Sequence, residues 1–292
     1  MNGLKEEMIL QDKIEYIGNH SLIQHGKHNN RIYLMKMSET DFPQIISDIN
    51  NIARDNEYTK IFCKLPSWAA PHFLSDGFFT EAIIPLLFKG KVDGFFMSKV
   101  LNSDRFLELE TSKLKEFSVV LNEMKLNKSH VLDSNHKFMI KELLDNNIEE
   151  IAIIYRKVFE SYPFPIHSEG YLKKIMNENV CFFGAFHEYE LIGVSSAEYD
   201  EENQCVEMTD FAVLPEYRGN NLATMLLREM ELTMSCSGMK TMYTIARLNS
   251  IAMNKTFLKS GYSYGGTLIK NTNISGSIES MNVLYKNIKS DE

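Results

Sequence analysis

Residues 211–227, FAVLPEYRGNNLATMLL, hold the side chains and spacing best suited to chemistry. An extended apolar stretch containing Phe211 and Val213 stops at Pro215. A tight turn follows at Arg218, Gly219, Asn220 and Asn221, and an apolar helix begins at once with Leu222, Ala223 and Thr224. The first amides of a helix have no partner inside it, and the positive end of the helix dipole lies behind them. Such a turn is an anion site of the kind that holds a phosphate. Gly219 permits unusual φ, and Asn is the next most tolerant residue for left-handed backbone. Ala223 leaves room for close approach, and Arg218 adds charge. Upstream on the same strand stand two carboxylates, Glu207 and Asp210, each able to accept a proton from a bound group. Their separation is odd, so a regular strand would put them on opposite faces and only one would face a substrate.

The elements that must position this segment read clearly in the second half. Strands are expected at 136–143, 180–186, 191–198, 205–214, 241–246, 264–269 and 280–285. Helices are expected at 147–160, 168–177, 221–235 and 250–259, from apolar residues at helical spacing and from breakers at Pro163, Gly238 and Gly261. The order β-α-α-β-β-β-α-β-α-β-β implies an α/β fold with a mixed sheet. The methionines of the 221–235 helix, Met225, Met230 and Met234, read as core packing.

The first half carries an echo of the second. Phe73-Leu-Ser-Asp-Gly-Phe78 resembles Phe257-Leu-Lys-Ser-Gly-Tyr262, and Met97 and Met281 each lie 20 residues beyond the glycine and open an apolar strand. Each hexapeptide is preceded by a strand, at 60–64 and 241–246. This reads as a degenerate internal repeat whose N-terminal copy lacks a phosphate turn. We therefore expect a structural or substrate-shaping domain at 1–130 and a catalytic domain at 131–292, joined by the polar stretch at 126–135.

The turn resembles the R/Q-x-x-G-x-G/A motif of the GCN5-related N-acetyltransferases, with Arg218-Gly-Asn-Asn221-Leu-Ala223 in its place and Asn221 where a glycine is usual. Asn249-Ser-Ile-Ala-Met-Asn254-Lys-Thr-Phe-Leu-Lys-Ser-Gly261-Tyr resembles the later helix of that family. The resemblance implies a mixed, splayed sheet flanked by helices, with acetyl-CoA as cosubstrate. Residues 218–224 would then hold its pyrophosphate, the strand with Phe211 and Val213 would pair with the pantetheine arm, and Asn254 would bond to that arm. Glu207 matches the general-base glutamate of the histone-acetylating branch, and an amide near Val213 would stabilise the oxyanion. Where many relatives have an acid tyrosine on the later helix this chain has Phe257, which leaves water or Tyr262 to protonate the thiolate.

Over its whole length the chain resembles the β-lysine N-acetyltransferases, which make the compatible solute Nε-acetyl-β-lysine from L-β-lysine and acetyl-CoA. The residues that carry this are Ile23-Gln-His-Gly26, Asn30-Arg-Ile-Tyr-Leu-Met-Lys36, Tyr58-Thr-Lys-Ile-Phe62, Gly77-Phe-Phe-Thr-Glu-Ala82 with Pro85, Ser161-Tyr-Pro-Phe-Pro165 and Ile274-Ser-Gly-Ser-Ile-Glu-Ser-Met-Asn282. A substrate with a carboxylate and two amines needs a cationic anchor and an acidic partner. Arg31 and Glu81, in the resembling blocks, are the candidates. The other readings are a catalytically silent acyl-CoA-binding module and a protein lysine acetyltransferase.

Composition narrows the partners. Of 292 residues 44% are apolar and 24% charged, with a net charge of -8 and no Lys/Arg-rich block, which argues against nucleic acid. The start of the chain lacks the apolar core of a signal peptide, and no apolar run is long enough to span a bilayer, so a cytoplasmic protein with no membrane partner is expected. Cys63, Cys181, Cys205 and Cys236 are scattered and read as free thiols. His25 and His28 lack a third ligand, so no metal is expected.

Overall fold

The computed structural model describes residues 12–107, 109–126 and 137–288. The first half runs β1 (Lys13–Ile17), β2 (Ser21–Gly26), β3 (Arg31–Lys36), α1 (Ile45–Asp55), β4 (Lys60–Pro66), α2 (Ala70–Ser75), β5 (Phe79–Phe88) and β6 (Val92–Val100). Helix α3 (Thr111–Leu126) leads to the second half; the proposed linker beyond Leu126, and the first residue of the strand expected at 136, lie outside the described residues. There follow β7 (Phe138–Leu143), α4 (Ile148–Val158), α5 (Glu169–Met176), β8 (Val180–His187), β9 (Glu190–Asp200), β10 (Cys205–Val213), α6 (Leu222–Cys236), β11 (Thr241–Arg247), α7 (Ile251–Lys259), β12 (Ser263–Ile274) and β13 (Ser277–Asn287). The expected α/β order is present, and the two last strands are longer than their apolar cores suggested.

All strands join one sheet in the order β1-β2-β3-β4-β6-β5-β12-β13-β11-β10-β9-β8-β7. Read outward from the β5–β12 seam, the two halves follow the same path: a hairpin pair, a strand, and a parallel partner. The parallel pairs are β3 with β4 and β10 with β11; the remaining pairings are antiparallel. Each parallel pair is linked by a helix, α1 or α6, whose apolar stripe faces the sheet. Ile45, Ile49 and Ala53 form that stripe in α1, and Leu222, Leu226, Met230 and Met234 in α6.

The two hexapeptides adopt the same turn. Phe78 N–H bonds Phe73 O and Tyr262 N–H bonds Phe257 O, both at 3.1 Å. Gly77 and Gly261 take φ of 85° and 89°, as a helix C-terminus closing through a left-handed residue requires. In each turn the buried phenylalanine meets the later ring edge-on, at 5.1 Å in the first and 4.9 Å in the second.

Each half has its own core, and a third cluster fills the junction, where Tyr33, Phe62 and Phe96 meet Tyr243, Leu268 and Val283. The backbone bridge across the seam is slight, Gly266 against Ala82. Each fully buried Phe, Leu or Val contributes roughly 1.5–3 kcal/mol, so side-chain burial outweighs that bridge in holding the halves together. The four cysteines are free thiols. Among the described residues no helix is long and apolar enough to cross a membrane.

Candidate active site

The turn after β10 is built as its residue types demand. Pro215 starts a short 3-10 turn, Gly219 has φ +84°, and Asn221 sits in the left-handed region at φ 60°, ψ 18°. A Cβ on Gly219 would meet nothing within 4 Å, so glycine is needed there for its conformation and not for room. Thr224 and Met225 donate to Asn221 O, whereas the N–H groups of residues 219–223 find no acceptor among the described residues, and no side chain caps α6. Asn220 Nδ2 donates to Tyr217 O at 2.9 Å and Arg218 Nε to Val213 O at 3.3 Å, bracing the turn. Leu222 is buried, so it offers only its amide; Ala223 and Thr224 are half-buried. Open amides at the head of a 15-residue helix fit a pyrophosphate group.

Beside the turn the sheet opens. Strand β10 pairs with β11 only from Cys205 to Glu207, against Thr241 to Tyr243. Beyond that point β10 stays with β9 while β11 follows β13, leaving a wedge. Leu214 N–H bonds Ile192 O, so its neighbour Val213 turns its own N–H away from β9, towards the wedge. A register shift between Thr209 and Ala212, with Asp210 at φ 56°, marks a bulge. The extra residue corrects the strand-parity expectation: Glu207 and Asp210 both line one cavity of about 830 Å³.

That cavity lies between the halves. Arg31, Tyr33, Phe62 and Lys64 come from the first half, and Tyr162, Glu198, Glu207, Asp210 and Tyr243 from the second. Glu207 is pushed up to about 8, by burial first and then by the neighbouring Glu198 and Asp210, with Lys64 and a hydrogen bond from Tyr243 opposing the rise. Burial also raises Asp210, against hydrogen bonds from Ser196 Oγ (2.6 Å), Tyr162 and Thr209 (3.2 Å). Lys64 Nζ donates to Tyr243 Oη at 3.1 Å, and its charge lowers the proton affinity of Glu198 and Glu207, so a lysine of the first half acts on the carboxylates of the second. Gln24 Nε2, also from the first half, bonds Pro163 O and steadies the loop that carries Tyr162.

Arg31 is 4% exposed. Its Nη1 donates to Asn271 O at 2.6 Å and to Thr272 Oγ1 at 3.3 Å, and among the described residues its Nε has no partner and it forms no ion pair. Burial lowers it to about 10, which leaves it charged at neutral pH.

Three expected site residues lie elsewhere. Glu81 is sealed at the seam by Lys60 Nζ (2.8 Å), Ser98 and the Ile269 N–H (2.8 Å), and does not line the cavity. Asn254 is buried, with Nδ2 on Arg247 O and Ser250 O and Oδ1 accepting from Asn282, so its side chain ties α7 to β11 and β13. Tyr262 packs on Phe257 in the core with its hydroxyl on Met242 Sδ, away from the carboxylates. Phe211 meets Phe257 edge-on and is half-buried beside the wedge. Sequence reasoning passed over Lys64, Glu198, Tyr162 and Tyr243. A lysine within the apolar run Ile61-Phe62-Cys63 was the available signal for Lys64.

Residues 148–262 match the Acetyltransferase (GNAT) family. The Beta-lysine N(6)-acetyltransferase of Methanococcus maripaludis is 38% identical over 272 residues, 92% of this chain and 96% of its own. The chain belongs to the β-lysine N(6)-acetyltransferase family, within the GNAT acetyltransferases. The Beta-lysine N(6)-acetyltransferase of Methanosarcina mazei is 25% identical over 263 residues, covering 83% of this chain and 96% of its own. N-acetyltransferase YodP of Bacillus subtilis is 36% identical over 156 residues, 53% of this chain and 57% of its own. This member is an acetyl-CoA-dependent enzyme that acetylates an amine, and its fold is the GNAT fold with an additional N-terminal half.

Proposed function

We propose that the enzyme acetylates the ε-amine of L-β-lysine in the cytoplasm, giving Nε-acetyl-β-lysine as a compatible solute. The observation that carries this is the make-up of the cavity: it is lined by Arg31, buried and in no ion pair among the described residues, and by Glu198, Glu207 and Asp210. An ω-amino acid fits that lining, with its carboxylate on Arg31 and its amine among the carboxylates.

The ε-ammonium, with a pKa of roughly 10.4, must lose a proton before it can attack. Glu207 is the proposed general base, since its carboxylate has one hydrogen bond, from Tyr243, and a proton affinity raised towards neutral pH. Asp210 is occupied by Tyr162, Ser196 and Thr209, and holds the loop at 161–165 against β10. Acetyl-CoA brings the acetyl thioester. The amides of residues 219–223 are proposed to hold its pyrophosphate, and the Val213 amide to bond the carbonyl oxygen as charge develops there. The departing thiol, with a pKa of about 8.5, leaves without a side-chain acid, in keeping with Phe257 and the buried Tyr262.

The N-terminal half is proposed to be a degenerate copy of the acetyltransferase fold that shapes the amine site. It has the matching strand path but no phosphate turn, and it supplies Arg31 and Lys64 to the cavity. The test is thiol release from acetyl-CoA across a panel of diamines, amino acids and lysine peptides. Turnover greatest with β-lysine supports the reading; turnover with peptides alone, or CoA binding without amine-dependent turnover, overturns it.

A further inference from the structure

Glu198 on β9 and Glu207 on β10 are directly opposite in register. Side chains at such positions stand with Cβ atoms about 4.5–5.5 Å apart on one face, and like charges there repel. The next pair along, Ser196 and Thr209, lies on the same face, since both bond the Asp210 carboxylate. Glu198 itself has no hydrogen bond or ion pair among the described residues. Glu198 is exposed and lines the cavity, so its carboxylate is open to a ligand, and partial desolvation together with Asp210 raises its proton affinity against the pull of Lys64. Of the nearby cations, Lys36 is paired with Glu202 at 2.8 Å, while Lys64 donates to the Tyr243 hydroxyl and offsets part of the carboxylates' charge.

Two carboxylates side by side on one face are an electrostatic cost that Lys64 only partly offsets, and a further cation between them relieves it. The cavity lining supplies the second observation, Arg31, a buried guanidinium whose Nε lacks a partner and which forms no ion pair among the described residues, with Asp12 and Glu81 attracting it only at longer range. Glu207, acting as base, gives up its charge to the proton it receives and cannot also hold a permanent cation. Asp210 has its oxygens occupied. This leaves Glu198 as the acceptor for a further charge.

We propose that Glu198 forms a second ammonium subsite, binding the non-reacting amine of a diamino acid while Arg31 takes its carboxylate and Glu207 its reacting amine. The assignment rests on the reading of Glu207 and Arg31 given above. It makes Glu198 the residue that separates a diamino acid from an ω-amino acid of the same length.

The test compares β-lysine with 6-aminohexanoate, which has the same chain, carboxylate and ω-amine but no second amine. Calorimetry on the resting protein reads the subsite even where turnover fails, and thiol release reads it during catalysis. Glu198→Gln is expected to weaken β-lysine binding and raise its KM by about 30-fold, the worth of a charged hydrogen bond, with 6-aminohexanoate changed less than about 3-fold. Glu198→Asp should restore part of the preference. Equal losses on both ligands, or no loss on β-lysine, overturn the proposal. Failure of the base reading shows separately, as undiminished turnover in Glu207→Gln, and leaves the calorimetric comparison intact.

Discussion

Glu207 and Asp210 line the same cavity although they stand three positions apart, an odd spacing, on one strand. Period-2 alternation forbids that on a regular strand. The bulge between Thr209 and Ala212, with Asp210 held at φ 56°, resets the alternation. Pairing of β10 with β11 has already ended at Glu207, so the bulge lies on the stretch of β10 that borders the wedge beside the phosphate turn.

The two carboxylates should separate in a mutational test. Glu207→Gln is expected to lower kcat/KM by about 10²–10⁴-fold, the range for a lost general base. In the parent enzyme kcat/KM should fall as pH drops below about 8, where Glu207 becomes protonated in the free protein. That acid limb should vanish in Glu207→Gln and persist in Asp210→Asn. Stability gives a second readout. A carboxylate raised on folding favours the folded state least once pH has passed its folded value, so the Tm advantage of Glu207→Gln should widen from pH 5 to about 8 and then level. A Tm gap that narrows over that interval, or an unchanged acid limb, would count against the assignment.

Arg31 should act on the carboxylate of the substrate and nothing else. Arg31→Met is expected to raise KM for β-lysine by about 100-fold, because removing one partner of a desolvated charge pair costs several kcal/mol. A carboxylate-free diamine such as 1,5-diaminopentane should lose less than about 3-fold. Loss on both, with Tm unchanged, would remove Arg31 from carboxylate binding. The bonds of Arg31 to Asn271 and Thr272 make the Tm control necessary.

The strand, turn and helix that form the phosphate site were legible from Pro215, Gly219 and the apolar period after Asn221, because each acts through its local backbone. The echo at Phe73 and Phe257 was legible for the same reason. The bulge at Asp210 was not, since nothing in T-D-F-A marks an extra residue. Asn254 read as a residue able to reach the pantetheine arm, but its partners Arg247, Ser250 and Asn282 come from three elements and enclose it. Lys64 and Glu198 acquire meaning only when the halves pack, and sequence spacing carries no record of that contact. Glu81 lies in a resembling block because the seam needs it, opposite Lys60.

Asn221 occupies the left-handed position where the family motif usually has glycine, with φ 60°. Asparagine tolerates this conformation and alanine does not, at a cost of roughly 1–2 kcal/mol. Asn221→Ala is therefore expected to lower Tm by a few degrees and to raise KM for acetyl-CoA several-fold, while KM for the amine stays constant. Asn221→Gly should match the parent in both. Thermal melts and acetyl-CoA titrations check the pair, and equal behaviour of Ala and Gly would show that the turn does not depend on this backbone angle.

Gly266 pairs with Ala82 across the seam between the halves. A Cβ there would lie 2.1 Å from Glu81 O and 2.6 Å from Ala82 Cα, backbone that cannot yield like a side-chain tip. Gly266→Ala must therefore push β12 from β5, with an overpacking cost of about 1–3 kcal/mol. Gly276, at φ 79° with nothing within 4 Å of a Cβ, is the control, because alanine there adds strain without a collision. The phosphate turn lies wholly in the second half, whereas Arg31 and Lys64 reach the cavity from the first. Displacing the seam should then raise KM for β-lysine more than ten-fold and leave KM for acetyl-CoA unchanged, while Gly276→Ala alters neither. If Gly266→Ala shifted both constants together, the first half would be a support for the whole fold and not a wall of the amine site.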